Sequence, residues 1–280
     1  MDAVDHVLEE VRQAAPEIRK GMEERRGYTE EENSSGEKQL EADIYANKLL
    51  KDRITSIDGV GEYASEEEDE ITDCGEGLSV ALDPLDGSSN IPTNNMVGTI
   101  VGIYDGSLPC RGENLLAAFY VLYGPLTTMT VARDGSVTEY VLDDGMRKTR
   151  EEIRLEGEKL YGFGGNLGWS EKFRQIEDDV SRKLKLRYGG SLVGDFNQVL
   201  LEGGVFGYPP KEGYENGKYR IMFEGNPMAF IAEAAGGVSS NGQKTVLEVE
   251  VDDLHQRVPF VVGEHDLVDR VEKAIQRDTN

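Results

Sequence analysis

The chain has 280 residues, 54 of them acidic and 30 basic, for a formal net charge of −24. So acidic a chain excludes nucleic acid as a partner, because phosphate binding needs a basic face, and no apolar run approaches the roughly 20 residues of a membrane-spanning helix. Two cysteines (Cys74, Cys110) and three histidines (His6, His255, His265) support neither a disulfide framework nor a clustered zinc site, so a soluble, cytoplasmic protein in a reducing compartment is expected. Self-repulsion at this charge is relieved by molar salt, where the Debye length falls to about 3 Å. That points to a salt-loving source, with an unfolding midpoint expected to rise from low to molar KCl. A merely acidic enzyme would show no such gain.

Val4, Val7, Leu8, Val11, Ala15, Ile18 and Met22 recur at helical spacing, predicting an amphipathic helix from about Asp2 to Arg26, with Pro16 as a kink or second start. The polar stretch 27–36, with Asn33-Ser34-Ser35-Gly36, reads as a mobile loop. A second helix is expected over 37–54, with Leu40, Ile44, Leu49, Leu50 and Ile54 on its apolar side and Asp43 at the border of that stripe. A carboxylate at such a border is usually solvated or capping; here it is expected to reach a site. A short strand ends at Ala64-Ser65 and runs into Glu66-Glu67-Glu68-Asp69-Glu70. As a bare acidic run this is most often solvated surface. Its place after a strand and shortly before the next motif makes Glu66 and Glu67 candidate ligands.

That motif is Asp83-Pro84-Leu85-Asp86-Gly87-Ser88-Ser89-Asn90, at the end of an apolar strand 78–82. Two carboxylates three apart suit a hard cation such as Mg²⁺, and the small residues that follow present N–H groups to a phosphate the metal also touches. An ordinary turn is the bland alternative. Strands follow at 96–104, 116–123, 126–133 and 137–142, joined by Gly-Pro and Asp-Gly turns. The charged, irregular stretch 143–158 is the candidate divide between a metal-binding half, 1–150, and a substrate-binding half, 151–280. The second half alternates: strand 160–164, helix 170–184, a strand starting at 186, helix 192–201, strand 203–208, a loop 209–217, a helix from Asn226-Pro227 through Ala235, strand 258–262 and helix 266–277. The class is mixed α/β, with layered sheets and helices.

Taken together, these motifs resemble the fructose-1,6-bisphosphatases, the class that shares its fold with the inositol monophosphatases. The residues that carry the resemblance are Ser65-Glu66-Glu67, Asp83 to Asn90, Arg187-Tyr188-Gly189-Gly190-Ser191-Leu192-Val193, Gly204 to Pro209, Lys218-Tyr219-Arg220 and Glu224 to Phe230. They span most of the chain from about residue 33. The resemblance implies an α-β-α-β-α layered sugar phosphatase fold in dimers or tetramers, hydrolysing the 1-phosphate of fructose 1,6-bisphosphate in gluconeogenesis. It implies two or three Mg²⁺ per subunit, for which Mn²⁺ can substitute, held by Glu66, Glu67, Asp83, Asp86, Glu224 and the Leu85 carbonyl. Asp43 with Glu67 would orient and deprotonate the attacking water, and Glu37 stands where the family has a loop Asp. Gly87, Ser88, Ser89 and Arg220 would hold the 1-phosphate. Asn166, Tyr188, Tyr208 and Lys218 would hold the 6-phosphate, joined by Arg187 from a neighbouring subunit. Ser191 and Leu192 would touch the sugar.

Chemistry read from the residues agrees, because metal-assisted ester hydrolysis needs several carboxylates and no nucleophilic side chain. Two departures stand out. Trp169 occupies a usual Tyr position, either losing one hydroxyl contact to the 6-phosphate or serving only as a core or rim aromatic. Gly77-Leu78 replaces an expected Lys-Tyr pair, and the N-terminal part of the AMP site is missing, so strong AMP inhibition is not expected; nor is thioredoxin-type control. The rival readings are a related phosphatase acting on sedoheptulose 1,7-bisphosphate or an inositol phosphate, and a non-catalytic acidic metal- or partner-binding protein.

Overall fold

The computed structural model describes residues 2–32, 38–143, 145–165 and 168–276. In chain order its elements are α1 (Ala3–Glu24), β1 (Tyr28–Glu32), β2 (Lys38–Leu40), α2 (Glu41–Ile54), β3 (Val60–Ser65), β4 (Thr72–Asp73), β5 (Leu78–Asp86), β6 (Val97–Tyr104), β7 (Leu115–Tyr123), β8 (Thr127–Arg133), β9 (Ser136–Leu142) and β10 (Met146–Arg150). There follow β11 (Leu160–Phe163), α3 (Glu171–Ser181), β12 (Lys185–Leu186), α4 (Leu192–Glu202), β13 (Gly204–Tyr208), β14 (Tyr219–Arg220), α5 (Asn226–Ala234), β15 (Val238–Ser240), β16 (Arg257–Val258), β17 (Phe260–Gly263) and α6 (His265–Gln276).

Two sheets organise the chain. One runs β10-β9-β8-β7-β6-β5-β3-β4 and is antiparallel except where β3 meets β5; the other runs β12-β11-β13-β17-β15. Alternation along each strand sends neighbouring side chains to opposite faces. In β5, Val80 and Leu82 join the α1 and α2 side, with Val7, Val11, Ile18, Leu50 and Ile54. Ala81 joins the other face, where Phe196 and Leu200 of α4 and Met228 and Ala232 of α5 fill the space up to Phe206 and Phe260 of the second sheet. The outer face of that sheet is covered by α3 and α6 through Phe173, Val180, Leu267 and Val271. The result is the expected α-β-α-β-α stack. No helix is long and apolar enough to cross a membrane among the described residues.

Several local expectations are corrected. Helix α1 runs unbroken through Pro16, begun by a capping box between Asp2 and Asp5. Part of the expected loop, residues 28–32, is a strand paired with β2, so α2 starts at Glu41 rather than at residue 37. The buried side of α2 is Ala42, Asp43, Ala46, Leu50 and Ile54, and Ile44 is exposed. Its tertiary face is therefore turned by one residue from the apolar stripe, and it carries Asp43 inward. β10 lies within the stretch read as irregular; its exposed Arg147 and Lys148 hide its period-2 pattern, and pairing with β9 creates it. β15 was also unforeseen and adds to β17.

Candidate active site

The carboxyl ends of two adjacent parallel strands, β3 and β5, meet at one point, with Ser65 opposite Leu82. Ligands gather where strands end beside a change of direction. The chain leaves β3 with the Glu66 N–H still bonded to the Leu82 carbonyl at 3.0 Å, so Glu66 and Glu67 emerge beside Asp83.

β5 continues through Pro84 to Asp86, beyond the predicted end at Leu82. Asp83 pairs with Ile100 and Asp86 with Gly98, so three steps on β5 match two on β6. That extra residue is a β-bulge, the position where a strand tolerates a proline. In a regular strand, residues three apart face opposite ways; the bulge removes that mismatch and brings both aspartates to one side. Thr99 Oγ1 satisfies the Pro84 carbonyl at 2.8 Å, and Asp83 Oδ1 accepts from the Leu85 N–H at 2.9 Å.

Asp86 is tied to a segment more than a hundred residues away. Its carboxylate accepts from Ser191 Oγ at 2.6 Å and from the N–H groups of Val193 at 2.8 Å and Leu192 at 3.1 Å. These are the first amides of α4, where a negative charge is favoured. Ser191 also accepts from the Gly194 N–H, so its hydroxyl is engaged in positioning Asp86 and capping α4. Gly87 takes φ +73°, and a Cβ there would lie 2.6 Å from that of Ser191. A short 3₁₀ turn, Ser88–Thr93, follows.

Glu224 arrives from a single π turn, Ile221–Gly225, directly before α5. Such turns recur at functional sites because they displace one side chain from the helical row. Its Oε2 accepts from the Arg220 N–H at 2.6 Å, while the Arg220 guanidinium is ion-paired with Glu66. Oxygens of Asp83, Asp86 and Glu224, all buried, lie within 4.8 Å of one another.

Asp43, Glu66, Glu67, Asp83, Leu85, Asp86, Gly87, Ser88, Ser89, Leu192, Lys218, Arg220 and Glu224 line one cavity of about 340 Å³. A larger cavity of about 510 Å³ lies elsewhere, between α1 and the Tyr123-Gly124-Pro125 turn, and Glu23 is its one lining carboxylate. The crowded carboxylates line the smaller one. Burial raises Asp83 well above the usual carboxylate range, reinforced by Glu66, Asp86 and Glu224. Burial likewise pushes Glu224 up to about 8, with Glu66 adding to it. Asp86 is raised by burial but held back by the Ser191, Val193 and Leu192 donors. Asp43 is pushed up to about 6 by burial; its Oδ2 accepts from the Leu40 N–H at 3.0 Å, and Oδ1 is buried with no hydrogen-bond partner among the described residues. Crowded carboxylates raised in this way suit a hard divalent cation, which would supply the missing counter-charge.

Beside the cavity, Lys218 Nζ sits 5.0 Å from the centre of the Tyr208 ring, and the Tyr208 and Tyr188 hydroxyls are hydrogen-bonded. The Tyr208 ring occupies the space a side chain at Gly164 would need, its Cζ 1.8 Å from an added Cβ. Trp169 donates its indole N–H to the Gly164 carbonyl at 3.2 Å, meets Phe173 edge-on and packs, partly buried, against the α3–α6 cluster. Arg187 is exposed and lines a different cavity with Lys159, Lys183 and Lys185. Glu37 and Asn166 lie outside the described residues. Five lining residues were not anticipated: Tyr28, Leu40, Gly190, Tyr219 and Arg257. Only Arg257 carried a signal, as a cation in so acidic a chain.

Comparison with known proteins agrees with this geometry. Family models described as the N-terminal and C-terminal domains of fructose-1-6-bisphosphatase match residues 3–149 and 156–276. The chain is 49% identical over 280 residues to a class 1 fructose-1,6-bisphosphatase of Natronomonas pharaonis, covering 98% of this chain and 99% of that one. It is 47% identical over 285 residues to one of Halobacterium salinarum, covering 100% and 99%. Both sources are halophiles. A crystal structure of Leishmania major fructose-1,6-bisphosphatase in holo form superposes with a TM-score of 0.91 at 27% identity, covering 98% of this chain and 94% of that one. The chain belongs to the fructose-1,6-bisphosphatase family.

Proposed function

We propose that the chain hydrolyses fructose 1,6-bisphosphate at its 1-phosphate, releasing fructose 6-phosphate and inorganic phosphate, the reaction of gluconeogenesis. One observation carries this reading: in a chain of this family, the buried set Asp83, Asp86 and Glu224 shares a cavity with Lys218 and Arg220.

Glu66, Glu67, Asp83, Asp86, Glu224 and the Leu85 carbonyl would hold two or three Mg²⁺, with Mn²⁺ able to substitute. Bound there, such cations would supply charge neutralisation for the phosphate and acidity for a water near neutral pH. Asp43, pushed to about 6, can take a proton in that range; with Glu67 it orients the water. The N–H groups of Gly87, Ser88 and Ser89, together with Arg220, hold the phosphate being cleaved. Lys218, Tyr188, Tyr208 and Asn166 hold the distal phosphate. Leu192 and the backbone at Ser191 border the sugar, and Glu37 stands where the family has a loop carboxylate.

Arg187 lines a different cavity from the carboxylates of its own chain, which supports a dimer or tetramer in which a second subunit donates it. Arg187→Ala is expected to raise the KM for the bisphosphate several-fold and to leave fructose 1-phosphate turnover unchanged; equal losses on both substrates would remove this role.

The test of the reaction is phosphate release in molar KCl with Mg²⁺ from fructose 1,6-bisphosphate, fructose 1-phosphate, sedoheptulose 1,7-bisphosphate and inositol 1-phosphate, each with an EDTA control. Strong preference for the first substrate, abolished by EDTA, is expected. Comparable rates on inositol 1-phosphate would move the chain to a broader specificity.

A further inference from the structure

Arg257 has no role in the reading above, yet it lines the same cavity. It lies on β16, directly opposite Arg220 on β14. Residues directly opposite in an antiparallel pair share a face, and two like charges there destabilise the pairing. Both residues line the one cavity, where an anion between them would offset that repulsion; local rules are broken where function requires it.

Six carboxylates and three cations, Lys218, Arg220 and Arg257, line the cavity. Glu66 already engages Arg220. Arg257 is aimed by its own bond, with Nη1 donating to the Lys218 carbonyl at 3.0 Å. We propose that Arg257 is a second guanidinium contact to the phosphate being cleaved, facing it from the strand opposite Arg220. This rests on the phosphatase reading above and deepens it by adding a residue to the reacting-phosphate subsite. A guanidinium spans two phosphate oxygens with a planar pair of donors that an ammonium cannot reproduce.

Calorimetric titration of the Mg²⁺-loaded protein with inorganic phosphate tests the contact without any sugar substrate, so an error over the sugar would not be mistaken for an error over Arg257. Arg257→Met is expected to weaken phosphate binding about ten- to a hundredfold, the worth of a charge-assisted hydrogen bond. It should lower kcat/KM by a similar factor for fructose 1,6-bisphosphate and fructose 1-phosphate alike. Arg257→Lys, which keeps the charge and a donor for the Lys218 carbonyl, should recover part of both losses and carries the test if the methionine variant does not fold. Unchanged phosphate affinity in a folded variant would overturn the proposal. So would a loss confined to the bisphosphate, because Arg257 would then only be positioning Lys218.

Discussion

Asp86→Asn is expected to lower kcat by about 10³-fold or more, because it removes a charged oxygen from the centre of the metal-ligand set and several kcal/mol of phosphate neutralisation depend on that set. The metal-free protein should tolerate the change. The carboxamide oxygen can still accept either from Ser191 and Val193 or from Leu192, and the bond lost is offset because removing one of several crowded buried charges relieves repulsion on Asp83. Asp86→Ala behaves differently. It abolishes turnover and also removes the acceptor for the first two amides of α4, costing about 1–2 kcal/mol. Thermal melts with and without Mg²⁺ separate the two effects. The asparagine variant should keep its metal-free midpoint and lose the Mg²⁺-induced rise, and the alanine variant should lose both. Near-normal turnover in either would remove Asp86 from the metal site.

Metal and pH should be strongly linked. Folding raises Asp83, Asp86 and Glu224, the last to about 8, above their unfolded values near 4. Between those limits the metal-free folded state holds protons that the unfolded chain releases. Its stability therefore falls as pH rises from about 4 through about 8, at up to about 1.4 kcal/mol per pH unit for each such group. A divalent cation displaces those protons. Its stabilisation should consequently be small at pH 5.5 and large at pH 8, with proton release on binding. Melting midpoints over that range in EDTA and in Mg²⁺ should diverge as pH rises. Parallel curves would mean that the carboxylates are already ionised in the metal-free fold.

Much of this site was legible before any fold was known, because its chemistry is local. Asp83 to Ser89 and the Glu66-Glu67 pair lie at strand ends in sequence, and apolar runs mark those strands. Hydrophobic periodicity also located most helices and strands within a residue or two. It failed where tertiary contacts override local pattern. The stripe on α2 named Ile44 as inward and left Asp43 at the border, whereas packing against α1 and β5 buries Asp43 and exposes Ile44. β10 looks charged and irregular because its only definition is its ladder with β9.

Composition, periodicity and motif spacing determined the class of fold, an acidic cluster suited to a divalent cation and the two stretches of chain that supply most of the carboxylates. Tertiary structure alone decided how those carboxylates are aimed. The bulge at Pro84 brings Asp83 and Asp86 to one face, α4 presents its first amides to Asp86, and β16 carries Arg257 to the cavity beside Arg220. These are pairings between residues far apart in the chain, fixed by hydrogen bonds and sheet register, and no periodicity within a single segment encodes which distant segment will complete it.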